Sequence, residues 1–140
     1  MSITVRFDVA EIMQRVDASN KAAIAEMSMR VRDDSNFYCP QDWGTLQDSS
    51  DIASDFENGI IIWDTPYAQY LYYGVLMVGE SGSAWAKLGE KKHVAMPEKK
   101  LDFGKHPNAN AQMQWFHKAK DVYLNEWLTE YENVFRNEMR

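Results

Sequence analysis

Four tyrosines fall within the seven residues 67–73 of the stretch "DTPYAQYLYYG": Tyr67, Tyr70, Tyr72 and Tyr73. A phenol joins a flat apolar face to a hydrogen-bonding tip. Such a cluster can stack on a sugar or a base, fill a folding core, or meet another protein. Stacking platforms for nucleic acid come with a positive groove, but the nearest charge here is Asp64 and the basic residues lie farther along the chain. Other chemistry-bearing side chains are sparse. His93, His106 and His117 stand in no His-x-x-x-His spacing, and Cys39 is the single cysteine, so neither a zinc ligand set nor an internal disulfide is expected. Cys39 precedes Pro40 without the context of a nucleophile elbow. "GESGSAWAKLG" lacks the Lys-Ser/Thr ending of a phosphate loop and the apolar strand that should precede it. The 21 Asp and Glu residues show no spacing that singles out an acid–base pair. The expectation is a protein without catalytic, metal-binding or cofactor-binding residues, not an enzyme.

The bulk properties agree with a folded, non-catalytic chain. With 140 residues and 45% apolar content it can bury the core of one domain, residues 1–140. The net charge of −6 and pI near 5.0 disfavour nucleic acid as a specific partner. "MSITVRFDVAEIM" does not read as a signal peptide, and no run approaches the ~18 apolar residues of a membrane span.

The elements that would position these residues follow from periodicity. After a short extended lead, Asp8 caps a helix running to about Arg32, with Val9, Ile12, Met13, Val16, Ala23, Met27 and Val31 as its apolar stripe. Arg30 and Arg32 would sit in its last turn. A loop follows, with Phe37, Tyr38 and Trp43 as anchors. From Leu46 the period shifts to two, with Leu46, Ile52 and Phe56 on one parity. Asn58-Gly59 then predicts a β-hairpin into "IIIWD", placing Phe56 opposite Ile61. Thr65 as N-cap, Pro66 at the first position and Gly74 at the stop predict a short helix over residues 66–73. In it Tyr67 and Tyr70 fill core, while Tyr72 and Tyr73 reach a surface. Residues 75–110 read as an exposed loop or extended arm, with weak strands near 93–96 and 100–103. Trp85, Leu88, Val94 and Met96 are its large apolar residues between Gly79 and Pro97. A last helix runs from about Asn110 to Asn137. It carries one stripe of Phe116, Ala119, Tyr123, Trp127 and Val134, and another of Trp115, Val122, Tyr131 and Phe135. That arc is wider than one packing surface needs. The fold class expected is α+β: a long N-terminal helix, an antiparallel hairpin or sheet, a short aromatic helix and a long C-terminal helix packed on the sheet.

Two segments, "WDTPYAQYLYYGVLMV" and "HPNANAQMQWFHKAK", resemble the minor capsid protein family of tailed phages and, more widely, head–tail connector and tail-completion proteins of long-tailed phages. Pro66, Tyr67, Ala68, Tyr70, Tyr72, Tyr73 and Gly74 match the first block; Asn108, Ala109, Trp115, Phe116, Ala119 and Lys120 match most of the second. The proline of that block is displaced here, in His106-Pro107-Asn108-Ala109. The resemblance spans most of residues 40–130. It implies a non-enzymatic α+β virion subunit, made in the host cytoplasm, that forms a hexameric or dodecameric ring in the neck. Its partners would be the head connector or stopper and the tail tube protein, with DNA passing through the lumen without specific binding. The position is that of tail terminator or tail completion, with a head-closing stopper as the alternative. A small ligand- or carbohydrate-binding domain is the alternative from another class. The subunit-interface residues expected are Tyr72, Tyr73, Trp85, Leu88, Val94, Met96, Trp115, Val122, Tyr131 and Phe135.

Overall fold

A computed structural model describes residues 1–41, 44–74, 77–78, 93–94 and 108–140, with the backbone alone described for Tyr70, Met77, Val78, His93 and Val94. Two long helices dominate it. Helix α1 spans Val9–Asn36 and α4 spans Trp115–Met139; between them lie α2 (Thr45–Ala53), a 3-10 turn (Phe56–Asn58) and α3 (Ala68–Tyr73). Among the described residues, strand is confined to β1 (Met77–Val78) and β2 (His93–Val94), an antiparallel pair with Met77 opposite Val94 and Val78 opposite His93. The architecture is helical, and the expected α+β class with α4 lying on an antiparallel sheet is corrected: α4 packs on α1.

Helix α1 begins where the sequence predicts. The Asp8 carboxylate accepts from the Glu11 N–H at 3.1 Å, satisfying one of the free donors of the first turn. The helix then outruns its predicted end by four residues, so Arg30 and Arg32 leave the last turn. Arg32 instead pairs with Asp33 and Asp51, and its guanidinium lies 5.1 Å over the Phe56 ring. The buried face of α1 is Ser19, Ala23, Ser28, Val31 and Ser35. These small side chains let α4 approach closely. Three links run antiparallel along the pair. Arg15 donates to the Met139 carbonyl at 2.7 Å, Tyr131 donates to Asn20, and the Trp127 indole N–H donates to Asp34 at 2.7 Å.

Residues 45–53 form a helix, not the predicted strand. The even spacing of Leu46 and Ile52 misled the period, because Leu46 and Ser50, four apart, are the pair that faces inward. Ile52 is 88% exposed. Gly44, at φ +76°, turns the chain into α2, and the Ser49 and Ser50 hydroxyls donate to the carbonyls of Leu46 and Gln47. The Asn58-Gly59 turn is real, with Gly59 at φ +71°, but it closes a single antiparallel bridge between Asp55 and Ile60 in place of a hairpin. With α2 ending just before it, no first strand remains to extend the ladder. Thr65 does not cap by its side chain: α3 starts at Ala68, and the buried Thr65 hydroxyl has no hydrogen-bond partner among the described residues. Gly74 at φ +69° ends α3 as expected.

The core lies where α3 and the start of α4 meet the C-terminal half of α1. Val31, Tyr38, Cys39, Leu46, Ala68, Trp115, Ala119 and Trp127 form it. Asn108 ties its entrance: its side-chain amide donates to the carbonyls of Phe37 (2.9 Å) and Cys39 (2.8 Å). Replacing Asn108 with alanine takes its donor from the Phe37 carbonyl and leaves the Cys39 carbonyl with Gln47 alone. The expected loss is about 1–3 kcal/mol, read as a lower midpoint in urea unfolding.

Burial pushes the Cys39 thiol well above its ordinary value of 9.0. The folded state therefore holds the protonated thiol, while the unfolded chain releases its proton from about pH 9. This contribution to stability is complete below pH 9 and falls by up to about 1.4 kcal/mol per pH unit above it. Denaturant titrations between pH 8 and 11 should show that decline, and Cys39→Ala should flatten it.

Candidate assembly surface

The aromatic blocks of residues 66–74 and 108–120 meet in space. The rings of Tyr72 and Trp115 pack edge-to-face at 4.7 Å between centroids, Trp63 and Trp115 at 5.8 Å, and Phe116 stacks on Trp127 at 6.1 Å. The Gln114 N–H donates to the Tyr72 carbonyl at 2.8 Å, joining the end of α3 to the start of α4. Tyr72 also shares a hydrogen bond with His117. Burial pushes the pKa of its hydroxyl up, the His117 contact opposes that, and Tyr73 adds to it. Two of the four tyrosines thus pack against the folding core. Tyr67 and Tyr72 are half-buried against it, and Tyr73 is exposed. The side chain of Tyr70 lies outside the described residues. Among the described residues, Tyr72 packs edge-on against both Trp115 and Tyr73 and not in a row of open ring faces.

The expected interface residues divide by position. Trp115 is 1% exposed and is corrected to a core residue of the subunit. Val122 and Tyr73 are exposed. Tyr131 and Phe135 are half-buried, stacked on each other at 6.0 Å on the flank of α1. Trp85, Leu88 and Met96 lie outside the described residues, as does most of the expected arm at 75–110; of Val94, only its backbone pairing in β2 is described.

Two apolar features escaped the sequence reading. The first is the N-terminal end. No residue from 1 to 15 is buried, and Ile3, Val5 and Phe7 are 90%, 79% and 69% exposed. Val9, Ile12 and Met13, assigned from the sequence to the buried stripe of α1, are exposed as well, because α4 ends beside Arg15. The period-two alternation of residues 2–7 was the available signal. The second feature is a groove of about 520 Å³ between α1 and α4, lined by Met27, Val31, Ile61, Trp63, Leu124 and Leu128 among others. Leu124 and Leu128, four apart, were the clue to its α4 wall.

Among the described residues no group of three His, Cys, Asp or Glu side chains could hold a metal ion, and no helix is long and apolar enough to cross a membrane. What the fold offers is a helical subunit with open apolar surface at one end and along one groove. A family model described as minor capsid protein matches residues 3–134, and the chain belongs to that family. It is thus a phage structural protein and a component of the virion. The family points to a non-enzyme. No curated protein and no solved structure matches the chain.

Proposed function

We propose that this minor capsid protein is a subunit of a homo-oligomeric ring in the phage neck, at the tail-terminator or tail-completion position. The observation that carries the reading is the uncovered apolar surface running from Ile3 to Met13 at one end of a well-packed subunit. A soluble monomer rarely leaves so many large apolar side chains open at one end. A closed ring needs two different patches on each subunit, and this end and the α1/α4 groove are two such patches. The net charge of −6 suits a lumen that lets DNA pass without gripping it. The head connector or stopper and the tail tube are the neighbours such a ring would touch.

Phage lacking this chain tests the position. Electron microscopy of lysates should show filled heads and free tails that do not join, and supplying the chain should restore whole particles. Tailed particles of normal form in its absence would exclude the tail-completion role. Empty or leaking heads would favour the stopper position in the same neck.

A further inference from the structure

Residues 60–64 form an extended segment with one satisfied edge and one open edge. On the first edge, the N–H of Ile60 bonds to the Asp55 carbonyl, that of Ile62 to the Ser54 hydroxyl and that of Asp64 to the Ser49 hydroxyl. On the other edge, among the described residues, no partner reaches the backbone N–H of Ile61 or Trp63. An unpaired edge of this kind is a template for another strand. The α1/α4 groove opens beside the same two residues.

The chain carries one segment that fits. In residues 2–7, Ile3, Val5 and Phe7 alternate with Ser2, Thr4 and Arg6, and all are exposed. Such alternation suits a strand with one apolar face. Arg6 is its only charged side chain, and the segment with the open edge ends in Asp64, which has no ion-pair partner among the described residues.

A chain cannot serve itself in this way. The groove lies beside Met27 and Val31, and Trp63 bonds to Asn36, all far along α1. Met27 is about 29 Å from Asp8 at the helical rise. Ile3, fully extended from Asp8, reaches only about 17 Å. We propose that residues 2–7 of one copy add as a β-strand to the open edge at Ile61 and Trp63 of the next copy, with Ile3, Val5 and Phe7 entering its groove. This rests on the homo-oligomeric reading above and names the contact between neighbours: heterologous, arm into groove.

The test uses full chains with single cysteines, since the native Cys39 is fully buried. Acceptor Ile61→Cys is mixed with donors bearing cysteine at 3, 4, 5, 6 or 7 and mildly oxidised. Disulfide-linked pairs should form at one or more of 3, 5 and 7, about tenfold above 4 and 6, because alternate side chains face opposite sides of a sheet. Acceptor Ile62→Cys, at an exposed position that the fold tolerates, should reverse that parity. Equal yields at both parities, no linked pairs, or linkage within one chain carrying both Val5→Cys and Ile61→Cys would each overturn the proposal. If linkage fails while the full chain still forms a homo-oligomer in particles, the arm falls and the ring stands; if no homo-oligomer forms, both fall.

Discussion

Replacing Trp127 with alanine should lower stability by about 3–5 kcal/mol, the usual loss for truncating a large core aromatic. In a chain of this size the melting temperature should fall by roughly 10–15 °C. Trp127 is almost fully buried, stacks on Phe116 and donates its indole N–H to Asp34. Asp34 also faces Arg30, which reaches Glu130 on α4, at 3.7 and 3.6 Å. Truncation therefore opens a cavity at the α1/α4 seam and leaves the Asp34 carboxylate with one exposed partner. Trp127→Phe separates the two effects. It keeps most of the apolar volume and loses the hydrogen bond to the carboxylate, so its cost should be about 1.5–3 kcal/mol. Thermal and urea unfolding of the three proteins decides the matter. Equal losses for both variants would mean that the Asp34 bond, not packing, holds the seam.

This seam was only partly legible in the sequence. Both long helices announce themselves through a cap at Asp8 and apolar residues at helical spacing. The buried line of α4 is Trp115, Ala119 and Trp127, at multiples of four, whereas the two stripes read from the sequence set Trp115 apart from Ala119 and Trp127. The middle of the chain was harder. Leu46, Ile52 and Phe56 lie an even number of residues apart, which suits a strand as well as a helix, and only tertiary packing shows that Leu46 faces inward while Ile52 faces water. The Asn58-Gly59 signal identified a turn correctly and the structure around it wrongly, since a turn needs only local φ angles and a hairpin needs two strands.

The aromatic blocks at 66–74 and 108–120 were legible as a family pattern before their physical reason was visible. They carry that pattern because they build one cluster around Trp115. Burial of Trp115 also explains why an apolar arc on α4 was too wide: part of it contacts α3, not a neighbour. What no periodicity could reveal is where α1 outruns its partner. Val9, Ile12 and Met13 have the spacing of a buried stripe, yet α4 ends at the level of Arg15 and leaves them open.

Substituting aspartate at both Leu124 and Leu128 should separate folding from assembly. Both side chains are exposed on the groove wall of α4. Surface changes of this kind usually alter stability by no more than about 0.5 kcal/mol each, so the isolated chain should melt almost as before. The same substitutions place two carboxylates on a surface that a neighbouring apolar segment would cover. Burying an unpaired charge there, against the loss of two apolar contacts, is a penalty of at least the size seen at interface hot spots, about 2 kcal/mol or more. In the proposed ring that penalty would recur at every joint. Infectious titre should therefore fall by about two orders of magnitude or more, and at the proposed tail-completion position electron micrographs should show heads and tails unjoined. Lysine at the same two positions should act alike if the defect is desolvation. If lysine is tolerated while aspartate is not, the neighbour presents acidic groups to this wall, and the basic Arg6 arm is not what fills it. A normal titre with both pairs would remove the groove from the assembly interface and leave the exposed N-terminal end as the surface to explain.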